Sequence, residues 1–223
     1  MKLKNLLISV AFSIAGFIGA SAKDTPGVIQ LVSGDKIECA DIDTKIFGKN
    51  LKYKLVSGGD RLELEQDKID FFQLYYSDAP TELGTKWKCF HAVSHSQWVK
   101  GNLKLSKNKI GWAECLVDAP TSLYLIIVSN YNPNTGTTYE YKYYVQNEDW
   151  DYAVQIPGIS KLTKKACVAF FTKLFQDNKT MLDQLNSKGY PFIESFFKSR
   201  IKTGDSNGLS TLIVEYNNTR DKK

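Results

Sequence analysis

The hydrophobic period of this chain changes once, at Pro157-Gly158, and that change decides its fold class. Before it, apolar residues alternate with polar ones in short runs broken by turn residues, as in strands with one face buried. Beyond it, they recur three and four positions apart, as on amphipathic helices. No helical pattern lies between successive strands to make parallel crossover units. The order therefore predicts an α+β fold. Its antiparallel β-rich region is sandwich or barrel-like, and a C-terminal segment of three or four helices packs on it.

Residues 28–32 and 36–39, joined by Ser33-Gly34-Asp35, read as a β-hairpin. Residues 51–56 and 61–65, joined by Ser57-Gly58-Gly59-Asp60, read as a second. A strand over 69–76 is stopped by Ser77-Asp78-Ala79-Pro80, which closes a small β unit over 23–80. The second β region, 81–157, carries expected strands at 85–93, 98–105, 109–117 and 123–129. Residues 130–136, with Pro133 and Gly136, signal a turn into a strand over 137–145, and a short strand follows at 152–156. The helical segment, 158–217, places Cys167, Phe170, Phe171, Leu174 and Phe175 on one stripe. Met181, Leu182 and Leu185 follow before Gly189, then Phe192, Ile193, Phe196, Phe197 and Ile201 after Pro191. The last helix aligns Leu209, Leu212, Ile213 and Tyr216 behind an N-cap at Asp205 or Ser206. Residues 218–223 read as a disordered tail.

Residues 1–22 stand outside this pattern. Lys2 and Lys4 precede an apolar run over 6–18 and the small-residue signal Ala20-Ser21-Ala22, which is the form of a secretory signal peptide cleaved after Ala22. Ser9, Ser13, Gly16, Gly19 and Ser21 dilute the uncharged stretch from Asn5 to Ala22, whereas a membrane span needs roughly 20 mostly apolar residues. The chain is therefore expected to be exported to a periplasmic or extracellular location, with no membrane span in the mature protein. The final helices and charged tail do not suit a membrane β-barrel. Two of the 29 basic residues belong to the leader, so their excess over 24 acidic residues is slight. Nucleic acid, which calls for a concentrated basic stripe, is not an expected partner.

Four cysteines remain, Cys39, Cys89, Cys115 and Cys167, too scattered for a CxxC signature. An oxidising destination permits two disulfides in three connectivities. Buried free thiols are the other reading, since cysteine behaves as a small hydrophobe. The two histidines lie in Cys89-Phe-His91-Ala-Val-Ser-His95. In an extended segment Cys89, His91 and His95 face one way, and all three are zinc-ligand types. Cys89 or Cys115 could also serve as a nucleophile with a histidine base, which needs a thiolate held near the imidazole. Two partly exposed surface histidines are the ordinary explanation of the pattern, and no metal or other cofactor is expected. The carboxylates Glu63, Glu65, Asp67 and Asp70 read as a solvated strand face. Phosphate-loop, dinucleotide, zinc-protease, nucleophile-elbow and calcium-loop motifs are all missing.

Tyr139, Tyr141 and Tyr143 share a strand face with Thr137 and Val145. Flat aromatic rings stack on sugars, so this stripe is a candidate ligand platform. Aromatics also favour strands that pack under helices, and helices follow at once. Asn178-Lys-Thr180 and Asn217-Asn-Thr219 match the N-glycosylation acceptor pattern.

The leader, the Gly-turn hairpin Val28-Ile-Gln-Leu-Val-Ser-Gly-Asp-Lys-Ile37 and the tyrosine-rich strand before the helices form one set of features. The run from Phe170-Phe171 to Met181-Leu182 and the closing Ile213-Val-Glu-Tyr216-Asn217 complete it. In this pattern the chain resembles uncharacterised secreted proteins of Bacteroidetes-type bacteria. The resemblance implies a location and carries no activity or residue role. The function expected from the sequence is therefore that of an exported, non-enzymatic binding protein, whose partner is a cell-envelope protein or an extracellular ligand. The alternative is a secreted hydrolase using carboxylates or the Cys89, His91 and His95 cluster.

Overall fold

A computed structural model describes residues 25–43, 50–76, 87–99, 102–133, 136–157, 164–197 and 207–220. The leader read over 1–22 and the N-cap read at Asp205 or Ser206 lie outside these residues. The strands are β1 (Gly27–Leu31), β2 (Lys36–Asp43), β3 (Asn50–Leu55), β4 (Leu62–Glu65) and β5 (Ile69–Tyr75). They continue with β6 (Trp87–Val99), β7 (Asn102–Val117), β8 (Thr121–Asn132), β9 (Gly136–Asn147) and β10 (Ala153–Gln155). The helices are α1 (Lys164–Leu174), α2 (Lys179–Lys188), α3 (Tyr190–Phe197) and α4 (Asn207–Thr219). The fold is α+β, as the change of period predicts. No helix among the described residues is long and apolar enough to cross a membrane.

All the strands belong to one sheet, ordered β10-β9-β8-β7-β6-β5-β1-β2-β3-β4, and β10 also pairs with β6. That extra pairing closes β6 to β10 into a five-stranded ring. In an up-and-down series of five, the first and last strands run the same way, so the closing pair must be parallel. It is, with Ala153 opposite His95 and Val154 opposite Ser96. The boundary read near residue 80 falls in a connection across which the sheet continues, because β5 pairs with the first half of β6 from Tyr75↔Trp87 to Phe71↔His91. One edge of β6 thus serves β5 at its start and β10 further along.

Over 87–99 and 102–117 the chain forms two long strands rather than the three read from the sequence. β6 and β7 pair from Phe90↔Glu114 through to Val99↔Asn102, with a register shift between Ser94 and Ser96. The polar stretches Ser94-His95-Ser96 and Ser106-Lys107-Asn108 look like breaks, but lie within continuous strands. The turn read over 130–136 is likewise shorter, since β8 runs to Asn132 and β9 begins at Gly136.

Three apolar clusters follow from the alternation along these strands. Val93, Ala113, Tyr124, Ile126, Tyr144 and Ala153 come from all five ring strands and fill its interior. The opposite face of β8, β9 and β10, through Leu123, Leu125, Tyr143, Val145, Val154 and Ile156, is covered by Phe170, Phe171, Phe175, Leu212 and other helix residues. β8 is apolar at successive positions because both of its faces are buried. The third cluster, around Ile29, Phe72, Leu74 and Trp112, holds the β1, β2, β3 and β5 end together. The β1–β2 turn uses Gly34 at φ 95°, a left-handed conformation glycine adopts without steric cost. At Gly208 a Cβ would lie 1.6 Å from the Phe196 carbonyl oxygen, so α4 can approach α3 only with glycine there.

A seam of side-chain hydrogen bonds fastens the helices to the sheet. The Asn217 amide accepts from the Thr121 N–H at 2.9 Å and donates to the Thr121 carbonyl at 2.8 Å. The buried Tyr216 hydroxyl donates to the Asp177 carboxylate and accepts from Asn147 Nδ2 at 3.2 Å. α4 continues to Thr219, and Arg220 pairs with Glu148. The tail read as disordered from 218 is therefore structured at least to Arg220, because Thr219 and Arg220 find partners on α2's cap and the β9 end.

Candidate functional site

Alternation along β6 turns Cys89, His91, Val93 and His95 toward the ring interior, as the parity of the sequence predicts. Cys89 and His91 meet: Sγ lies 3.5 Å from His91 Nε2. The His91 ring is 5.6 Å from Phe71 on β5 and 6.2 Å from Tyr124 on β8. This end of the ring, where β6 still pairs with β5, forms a half-buried mouth. His95 lies roughly 13 Å further along the strand from His91. It is buried, with its ring 5.2 Å from Tyr144. Cys89 and His91 therefore come together and His95 does not join them. No group of three or more metal-ligand side chains gathers among the described residues.

The electrostatics of the mouth favour neutral partners. Burial, reinforced by the nearby Asp118 and Asp70 carboxylates, pushes the Cys89 thiol up to about 12. Burial lowers His91 below its ordinary 6.5, although Asp118 and Asp70 oppose it. Cys115 is raised to about 12 by burial, then by Asp118 and Cys89. A nucleophilic cysteine needs a stabilised thiolate beside a cationic imidazole. This pair is instead a neutral thiol against a neutral imidazole, which disfavours the hydrolase reading built on it.

The shift at His91 has a consequence for stability. As pH falls below 6.5 the unfolded chain takes up a proton that folded His91 resists, so folding weakens on acidification and gains nothing from this group above that range. Exchange for glutamine removes the linkage. The melting temperature of wild type should fall relative to that of His91→Gln as the pH drops from about 8 to about 5.5. A constant separation between them would mean that His91 titrates alike in both states.

The tyrosine stripe divides along its length. Tyr143 is buried in the helix-covered core, Tyr141 packs at its edge, and Tyr139 is 62% exposed. On the paired strand, Ile127 stands opposite Tyr141 and Tyr131 opposite Thr137. Tyr131 is 75% exposed and lies on the same face, diagonal to Tyr139. The hairpin therefore carries two open rings beyond the reach of the helices, on strands anchored in the core. Tyr131 escapes sequence reading because it falls in the stretch that signals a turn.

Neither the sequence nor the fold matches a known protein family, a curated protein or a solved structure. The remaining sequence candidates are spoken for. Glu63 pairs with Lys52, and Glu65 with Lys68, on an exposed face as expected. Asn178 is fully buried. Its Oδ1 caps α2 by accepting from the Met181 N–H at 3.0 Å, and its Nδ2 donates to the Tyr216 carbonyl and Thr219 Oγ1. Both acceptor asparagines of the glycosylation pattern thus spend their amides inside the helix–sheet seam, which leaves neither open to glycosylation in the folded chain.

Proposed function

We propose that this chain is an exported, non-enzymatic binding protein, and that the open end of the β8–β9 hairpin is its contact face. The observation that carries the reading is the exposure of Tyr131 and Tyr139 side by side on a hairpin whose inner half is buried. Tyrosine offers a large flat face with few rotatable bonds, so little conformational entropy is lost when a ligand stacks on it. The anchored strands hold the two rings in place before any ligand arrives. Thr137 adds a hydroxyl on the same face. Flat rings interspersed with hydroxyls suit a polyhydroxylated chain, so the ligand class we assign is polysaccharide. The leader and the likeness to secreted Bacteroidetes-type proteins support a periplasmic or extracellular setting for it.

Affinity electrophoresis in gels carrying neutral polysaccharides tests the face and the ligand together. The wild-type chain should be retarded by at least one of them. Each aromatic contact contributes about 0.5–1.5 kcal/mol, so Tyr131→Ala with Tyr139→Ala should weaken binding roughly 10- to 100-fold. The circular dichroism spectrum should stay unchanged, because neither ring is in the core. Equal retardation of the double variant would place binding elsewhere. A wild type retarded by no polysaccharide would remove the ligand assignment.

A further inference from the structure

We infer that Cys89 and Cys115 are a modification site, closing into a cross-strand disulfide at the ring mouth by exchange with a disulfide reagent. The inference rests on register and does not depend on the binding face proposed above. The β6–β7 ladder pairs His91 with Ala113 and Phe90 with Glu114. One step further the same register sets Cys89 opposite Cys115, with both side chains on the ring's inner face. Directly opposed residues of antiparallel strands have Cα atoms about 4.5–5.5 Å apart, inside the roughly 4.4–6.8 Å that a disulfide spans. Both are free thiols, and both are only partly buried, which leaves a path for a small reagent.

The other two cysteines cannot compete. Cys39 is fully buried in the cluster around Phe72 and Leu74. Cys167 is fully buried on α1 against the outer face of β8–β10. The sheet separates each of them from the mouth, so Cys89–Cys115 is the one bridge left, with Cys39 and Cys167 remaining thiols.

The chemistry balances with an oxidised dithiol or glutathione disulfide as the electron acceptor. Cys89 gives up its proton to solvent. The resulting thiolate attacks the reagent, forming a mixed disulfide and expelling one thiolate, which takes a proton from solvent. Cys115 then gives up its own proton and attacks Cys89 Sγ, displacing the second reagent thiol. Two electrons and two protons pass from the cysteines to the reagent, which leaves as two thiols. Burial holds both thiols up to about 12, so the exchange should quicken as pH rises toward that range and the thiolate fraction grows.

The experiment is equilibration of the reduced full chain with glutathione disulfide, followed by intact mass and tryptic mapping. Lys88, Lys100 and Lys109 allow trypsin to separate the Cys89 and Cys115 peptides. The expected product has lost two hydrogens and joins those two peptides, with Cys39 and Cys167 still alkylatable after unfolding. Cys115→Ser should stop at glutathione trapped on Cys89. An unchanged mass, glutathione retained on both cysteines of the wild type, or a link to Cys39 or Cys167 would overturn the site.

Discussion

Replacing Phe171 by alanine is expected to destabilise the fold by about 3–5 kcal/mol, the usual cost of truncating a buried phenylalanine. Phe171 is fully buried on α1. Its ring meets Phe170 edge-on at 5.2 Å and Phe175 at 5.5 Å, in the layer between the helices and β8–β10. Truncation loses the transfer free energy of the ring and leaves a cavity that neighbouring rings fill only in part. Domains commonly have about 5–15 kcal/mol in all, so the variant would lose a large share of its stability. Urea denaturation followed by circular dichroism should show a much lower midpoint with an unchanged slope. Tyr139→Ala, on the exposed part of the hairpin, should fall within about 0.5 kcal/mol of wild type. A Phe171→Ala midpoint equally close to wild type would mean that the helices do not dock through this core.

The second large effect is expected at Asn178. Alanine there removes the α2 cap, about 1 kcal/mol, and the two hydrogen bonds that Nδ2 donates to the Tyr216 carbonyl and Thr219 hydroxyl, about 0.5–1.5 kcal/mol each, although the Tyr216 carbonyl keeps the Arg220 N–H. Aspartate is the informative comparison. At an ordinary N-cap it performs as well as asparagine, because its oxygen accepts the same N–H and its charge suits the helix N-terminus. Here one carboxylate oxygen would face the Tyr216 carbonyl oxygen, 3.3 Å from the present Nδ2, in a fully buried site. Asn178→Asp should therefore be at least as destabilising as Asn178→Ala near neutral pH, reversing the order at exposed caps. An aspartate variant as stable as wild type in urea would show that the donor half of the amide contributes nothing.

Local sequence carries the architecture further than it carries the site. Alternation finds the hairpins β1–β2 and β3–β4, because each has its turn residues in place between two short runs of the right length. The phenylalanine stripe finds α1 for the same local reason. The ring is hidden because it depends on β10, a three-residue strand whose partners are chosen by tertiary contact rather than by its own pattern. Ser94-His95-Ser96 misleads because polar residues within a long strand look like a break unless the partner strand is known. At the site, parity alone brings Cys89 and His91 to one side. Their meeting with Cys115 requires the β6–β7 register, which a sequence without pairing information does not supply. Asn178 shows the converse: a surface-modification pattern coincides with a buried cap, and only the packing of α4 distinguishes them.

The parallel pairing of β10 with β6 also bears on how the chain reaches its native state. It joins residues farther apart in sequence than any other pairing in the sheet. The entropy of closing so long a loop must be overcome before the contact contributes, so the hairpins form first and the ring shuts late. Until it shuts, the second half of β6 presents an unsatisfied edge to other chains. The strand that covers that edge and the helices that pin it through Val154 and Ile156 leave the ribosome last. During synthesis the protein therefore carries its aggregation-prone edge until its C-terminal third arrives, and a copy that stops before Ala153 keeps that edge for good.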